Sequence, residues 1–102
     1  KNINIYYCVL DLKLINMKIS VDLTLTPLSN EYETIIKSFI KKIRQSGLTI
    51  KENPLSTHIY GDYDLVMGFL NTEIFETFKQ CDSVVMNMKI FKSDRSNYVP
   101  TF

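Results

Sequence analysis

Net charge is almost missing from this chain: twelve basic residues stand against eleven acidic ones over 102 positions. That balance removes the main reason to expect a nucleic-acid or anionic-membrane partner, because both need a concentrated positive field. Cysteine is as sparse. Cys8 and Cys81 lie far apart and form no motif, which reads as two buried or idle thiols in a reducing, cytoplasmic setting. No apolar run reaches the roughly 18 residues of a membrane span. His58 is the sole histidine, with no cysteine or carboxylate at ligand spacing, so no metal site is expected. The three glycines frame no serine as a nucleophile elbow would, and there are no repeats or low-complexity tracts.

What is present suits one domain. The apolar fraction is 45%, with six Phe and six Tyr, enough for one ordinary core in a chain too short for two. The first sixteen residues read apart from the rest. Tyr6 to Leu10 is apolar, but Asp11 and Lys13 interrupt it and no small-residue cleavage site follows, so a signal peptide is not expected there. Met17-Lys18 looks like a natural start. The expected division is an extension over 1–16, a domain over 17–95 and a tail over 96–102, with the polar sequence from Ser93 loosely held.

From Lys18 the pattern is regular. Ile19, Val21, Leu23 and Leu25 alternate with Ser20, Asp22, Thr24 and Thr26, which predicts a strand with one apolar and one polar face, ended by Pro27. Asn30 stands three residues before Glu33, the spacing of a capping box. Tyr32, Ile35, Ile36, Phe39, Ile40 and Ile43 then form one helical stripe, and Gly47 supplies the stop. Leu48 to Asn53 and Thr57 to Tyr60 predict two further strands. A second helix, capped by Asp62 or Asp64, carries Val66, Phe69, Leu70, Ile74 and Phe78, with a kink expected at Gly68. Val84 to Phe91 is the last strand, with Val85, Asn87, Lys89 and Phe91 on one face and Val84, Met86, Met88 and Ile90 on the other.

This order, strand-helix-strand-strand-helix-strand, predicts a ferredoxin-like α+β fold. Both helices cover one face of a four-stranded antiparallel sheet and leave the other open. The open face mixes Ser20, Asp22, Thr24 and Asn87 with Val85, Phe91 and Tyr60, and a mixed face on so small a domain commonly meets a partner. Catalysis finds little support. The loop after the first strand, Thr26 to Asn30, lacks the arginine and glycine of a phosphate cradle, and the first strand offers no aromatic for stacking RNA. The remaining constellation is a polar floor for a flat heterocycle, weighed against plain solvated sheet polarity. Asp22 is an unusual choice in mid-strand.

Three stretches carry a resemblance. Ile19 to Leu28 resembles the opening strand of the YkoF-like thiamine- and hydroxymethylpyrimidine-binding proteins. Gly47-Leu48 followed by Asn53 to Asp62 resembles their "GL…P-x-G-T-x-I-E-G-D" signature, and Val84 to Arg95 is similar to their closing strand. Ser56 replaces the usual glycine and Tyr60 the usual glutamate. The resemblance spans Lys18 to about Arg95 and implies a βαββαβ fold, no catalysis and no cofactor. It also implies association through open sheet faces into a homodimer or homotetramer, and thiamine or its pyrimidine as ligand. The residues expected at that ligand are Ser20, Asp22, Thr24, Thr57, Tyr60 and Asn87. The rival reading is an oligomeric assembly or regulatory module without a small ligand.

Overall fold

The structure is a computed structural model and describes residues 16–102. Almost all of the N-terminal extension, and with it Cys8, therefore lies outside the described residues. The elements are β1 (Lys18–Pro27), α1 (Tyr32–Arg44), β2 (Thr49–Glu52), β3 (Thr57–Asp62), α2 (Tyr63–Lys79) and β4 (Val84–Phe91). They form one sheet in the order β2-β3-β1-β4, with every neighbouring pair antiparallel, so the fold is the ferredoxin-like βαββαβ arrangement.

β1 organises the sheet because it is central and strictly alternating. Val21 stands between Ile59 of β3 and Ile90 of β4, and Leu23 between Thr57 and Met88. Residues directly opposite across a ladder share a face. Ile19, Val21 and Leu23 thus join Ile59 in a core completed by Phe39 and Ile43 of α1 and Val66 and Leu70 of α2. Ser20, Asp22 and Thr24 take the opposite face, beside Tyr60, His58, Phe91, Lys89 and Asn87.

α1 buries Ile35, Phe39 and Ile43, one residue per turn along a single line. Its acidic first turn and basic last turn complement the helix dipole. The expected capping box does not form. The helix starts at Tyr32 with Glu31 in the cap position and no side-chain cap, while the Glu31 amide donates to Ser29 Oγ at 3.3 Å. That one-residue offset takes Asn30 out of reach of the box geometry. At the other end Ser46 Oγ donates to the Ile43 carbonyl at 2.6 Å, and Gly47 takes φ 81°, the left-handed stop its sequence position implied. α2 is preceded by Asp62 in the cap position, whose carboxylate goes to Lys18 at 2.5 Å rather than to a helix amide. Gly61 before it has φ 154°, and a Cβ there would stand 3.3 Å from a Val66 methyl, so glycine lets the strand pass close beneath the helix. α2 continues through Gly68 without interruption.

The helices do not cover β4 fully. Met88 and Ile90, on its inner side, stay exposed together with Phe75 and Phe78 of α2. The inner side of the edge strand is thus only partly buried, where the sequence pattern implied full cover.

The polar tail, expected to be loosely held, is tied down over the open face. Ser20 Oγ donates to the Ser93 carbonyl at 2.7 Å and accepts from the Arg95 amide at 2.9 Å. From the far edge, Lys51 Nζ donates to the Ser96 carbonyl. The Arg95 guanidinium lies 5.2 Å from the Phe91 ring centre and 5.5 Å from that of Tyr98. The hydroxyl and amide of Ser96 hold the Asp94 carboxyl below its ordinary value, aided at longer range by Lys18 and Lys51.

Ile59 is fully enclosed. Ile59→Ala is expected to cost about 2–5 kcal/mol, read as a lower urea midpoint at unchanged slope. Ser20→Ala removes two hydrogen bonds worth about 0.5–1.5 kcal/mol each. Amide hydrogen exchange at Arg95 and Ser96 is expected to quicken while the amides of β1 and β3 keep their protection. Unchanged exchange would mean that Lys51 and the aromatic rings hold the tail without Ser20.

Candidate functional site

Five of the six residues expected at a ligand share the open face, because β1 alternates and its partners follow its register. Two shallow clefts lie there. One, of about 230 Å³, is lined by Ser20, Asp22, His58, Tyr60, Lys89, Phe91 and Arg95. The other, of about 270 Å³, is lined by Asp22, Thr24, Asn87 and Lys89. Asp22 and Lys89 belong to both, so the clefts adjoin across this cross-strand pair.

Thr57 is the exception. It stands opposite Leu23 on the helix-packed face, 8% exposed, and lines a separate cleft of about 320 Å³ between α1 and the β2–β3 loop. The structure does not bring it to the others. The cause is the period of two, since Thr57 is an odd number of residues from His58 and Tyr60.

His58 is the residue that sequence reasoning missed. It was set aside as a metal ligand, yet alternation along Thr57-His58-Ile59-Tyr60 already put it beside Tyr60 on the polar face. Its Nδ1 lies 3.2 Å from the Tyr60 hydroxyl. Its Nε2 lies 3.2 Å from Ser56 Oγ and 3.6 Å from Asp22 Oδ1. A proton on Nε2 fits all three contacts: Tyr60 donates to Nδ1, and Nε2 donates to Ser56 while facing the carboxylate. Among the described residues no group of three or more His, Cys, Asp or Glu gathers as a metal would require.

Tyr60 is on the open face but only 7% exposed. Lys51 Nζ lies 5.8 Å over its ring, His58 meets it edge-on, and the tail tied at Ser20 lies alongside. Burial raises its phenol above the ordinary value, with the charges of Asp94 and Asp22 adding to the effect. Little of this ring is left for a ligand to stack on. Phe91, half-exposed, is the accessible aromatic of the cleft.

Asp22 has the most unfulfilled chemistry. Its Oδ1 is buried and has no hydrogen-bond donor among the described residues, the imidazole standing just beyond bonding distance. The other carboxylate oxygen is not enclosed, the side chain being 41% exposed, and it accepts no hydrogen bond from the described residues, so it can take a ligand N–H offered from the cleft.

Solved structures share the architecture. A protein from Streptococcus pneumoniae superposes with a TM-score of 0.71 at 25% identity, covering 76% of this chain and 89% of its own. A candidate thiamine biosynthesis/salvage protein from Thermotoga maritima gives 0.66 at 16% identity, covering 82% and 90%. A hypothetical protein from Methanocaldococcus jannaschii gives 0.64 at 20% identity, covering 76% and 81%. No curated protein sequence matches the chain. The family described as thiamine-binding protein matches residues 21–99, which takes in β1 from Val21, both helices, β2 to β4, Asp22 and the tail that crosses the open face. On that match, the chain belongs to the thiamine-binding protein family.

Proposed function

We propose that this protein binds thiamine, or its hydroxymethylpyrimidine half, on the open sheet face and carries out no catalysis. The observation that carries this reading is Asp22. An aminopyrimidine presents an exocyclic N–H donor beside ring-nitrogen acceptors, and Asp22 lines the cleft with a carboxylate that accepts no hydrogen bond from the described residues. The second cleft supplies the hydroxyl of Thr24 and the amide of Asn87. Thiazolium is a cation, and the same carboxylate favours it. Membership of the family and the salvage-related description of the Thermotoga maritima protein support the reading.

The protein self-associates in this proposal, as a dimer or tetramer that closes the shallow clefts. Val85 and Phe91 on the outer side of β4, and Met88 and Ile90 on its inner side, leave the edge strand apolar and exposed on both faces. The same surface favours the second reading, an assembly module with no small ligand.

Thermal shift with thiamine and hydroxymethylpyrimidine separates the two. At 100 times its dissociation constant a ligand stabilises the fold by about 2.7 kcal/mol, a rise of roughly 10 °C or more for a domain of this size. No shift with either compound would defeat the binding reading. Asp22→Ala is expected to weaken binding about tenfold to a hundredfold by calorimetric titration, the worth of one hydrogen bond to a charged group. Its urea midpoint should move little, because the lost oxygen has no protein donor to orphan. By light scattering at micromolar concentration the mass should be that of a dimer or tetramer, and a monomer would refute the association.

A further inference from the structure

The open face holds more positive charge than an aminopyrimidine or a thiazolium needs. Of the residues lining the Asp22 cleft, Asp22 is the one carboxylate, while Lys89 and Arg95 are both cations. Neither cation has a carboxylate within ion-pair distance among the described residues, although Lys89 stands directly across the ladder from Asp22. Asp22 can offset one of the two charges and leaves the other without a counter-charge. Asp94, the sequence neighbour of Arg95, is already bonded to Ser96 and lies in the field of Lys18 and Lys51.

Arg95 is also held ready. Its backbone amide is fixed to Ser20 Oγ, and its guanidinium is flanked by the rings of Phe91 and Tyr98. Its side-chain N–H groups donate to no protein acceptor among the described residues. A guanidinium positioned by aromatic rings, with its donors free, matches the fork geometry by which arginine takes a phosphate or carboxylate in two parallel hydrogen bonds. Lys89, at the junction of the two clefts, supplies a point charge beside it.

We propose that the ligand carries an anionic phosphate group, held by Arg95 and Lys89, while Asp22 takes the amino group of its heterocycle. The site is thus selective for a phosphate ester over the corresponding alcohol. This rests on the open-face binding reading above and adds to it the ionic form of the ligand.

The test titrates the full chain with two matched pairs: thiamine and its monophosphate, and hydroxymethylpyrimidine and its monophosphate. At least one ester is expected to bind tenfold or more tighter than its alcohol, with a preference that shrinks as salt is raised. Lys89→Gln and Arg95→Gln should each reduce the ratio of ester to alcohol affinity at least fivefold. Arg95→Lys, which keeps the charge but not the fork, should reduce it less. Lys89→Gln leaves the tail contacts in place, so it reads the charge independently of any loosening of the tail. Alcohols that bind as tightly as their esters would overturn this inference and leave the binding reading standing. A preference that survives both glutamine variants would also overturn it. Failure of all four compounds to bind would remove the binding reading and the inference together.

Discussion

Strict alternation along β1 is the constraint on which the rest depends. A central strand with period two must send Ile19, Val21 and Leu23 one way and Ser20, Asp22 and Thr24 the other, and it imposes that division on both neighbours through register. Slipping β3 by one residue against β1 would turn His58 under the helices and expose Ile59. The hydrophobic gain of the core therefore fixes the polar face as well, and the position of Asp22 opposite His58 and Lys89 follows from packing on the far side of the sheet.

This is why so much of the fold was legible in the sequence. The elements with clear period, β1, α1 and β4, fall where alternation and helical spacing put them, because burial of one face leaves a periodic trace. The faces of Ser20, Asp22, Thr24 and Asn87 followed from the same trace. Thr57 was misplaced for want of applying it, since it was chosen from a resembling motif, in which neighbours in sequence need not share a face. The details that left no trace are contacts between residues far apart in sequence. Ser20 and the tail are separated by more than seventy positions, and nothing in the composition of Ser93 to Phe102 marks it as tied. The cap of α1 failed for a different reason. A capping box is a local signal, and an offset of one residue at the helix start is enough to undo it.

The tied tail changes what the open face is. A bare sheet would offer a flat surface to a second subunit or to solvent. With Ser93 to Ser96 drawn across it and Lys51 reaching in from the edge, Tyr60 is covered and the surface becomes a pair of shallow clefts with Asp22 and Lys89 at their junction. The tail supplies one wall of the site as well as Arg95. Because its anchors are a few hydrogen bonds and ring contacts rather than buried apolar side chains, it is held more weakly than the sheet beneath it. It belongs to the low-stability end of the molecule, from which ligand-responsive segments are drawn.

The two departures from the family signature meet at one side chain. Ser56 replaces a glycine and Tyr60 a glutamate, and both hydrogen-bond to His58, which in turn faces Asp22. A glycine at 56 would leave the imidazole one fewer partner. A glutamate at 60 would bring a second carboxylate onto the face, in place of a phenol that is neutral at ordinary pH. With tyrosine there, Asp22 is the only carboxylate among the described residues lining the clefts, against Lys89 and Arg95. The exchange at 60 moves the local charge by one unit toward positive, the direction that an anionic group on the ligand would require. It also frees Asp22 from competition for an amino group, since no other carboxylate remains on that floor to accept it. The same residue that departs from the pattern therefore concentrates both halves of the proposed recognition, the anion at Arg95 and Lys89 and the amine at Asp22.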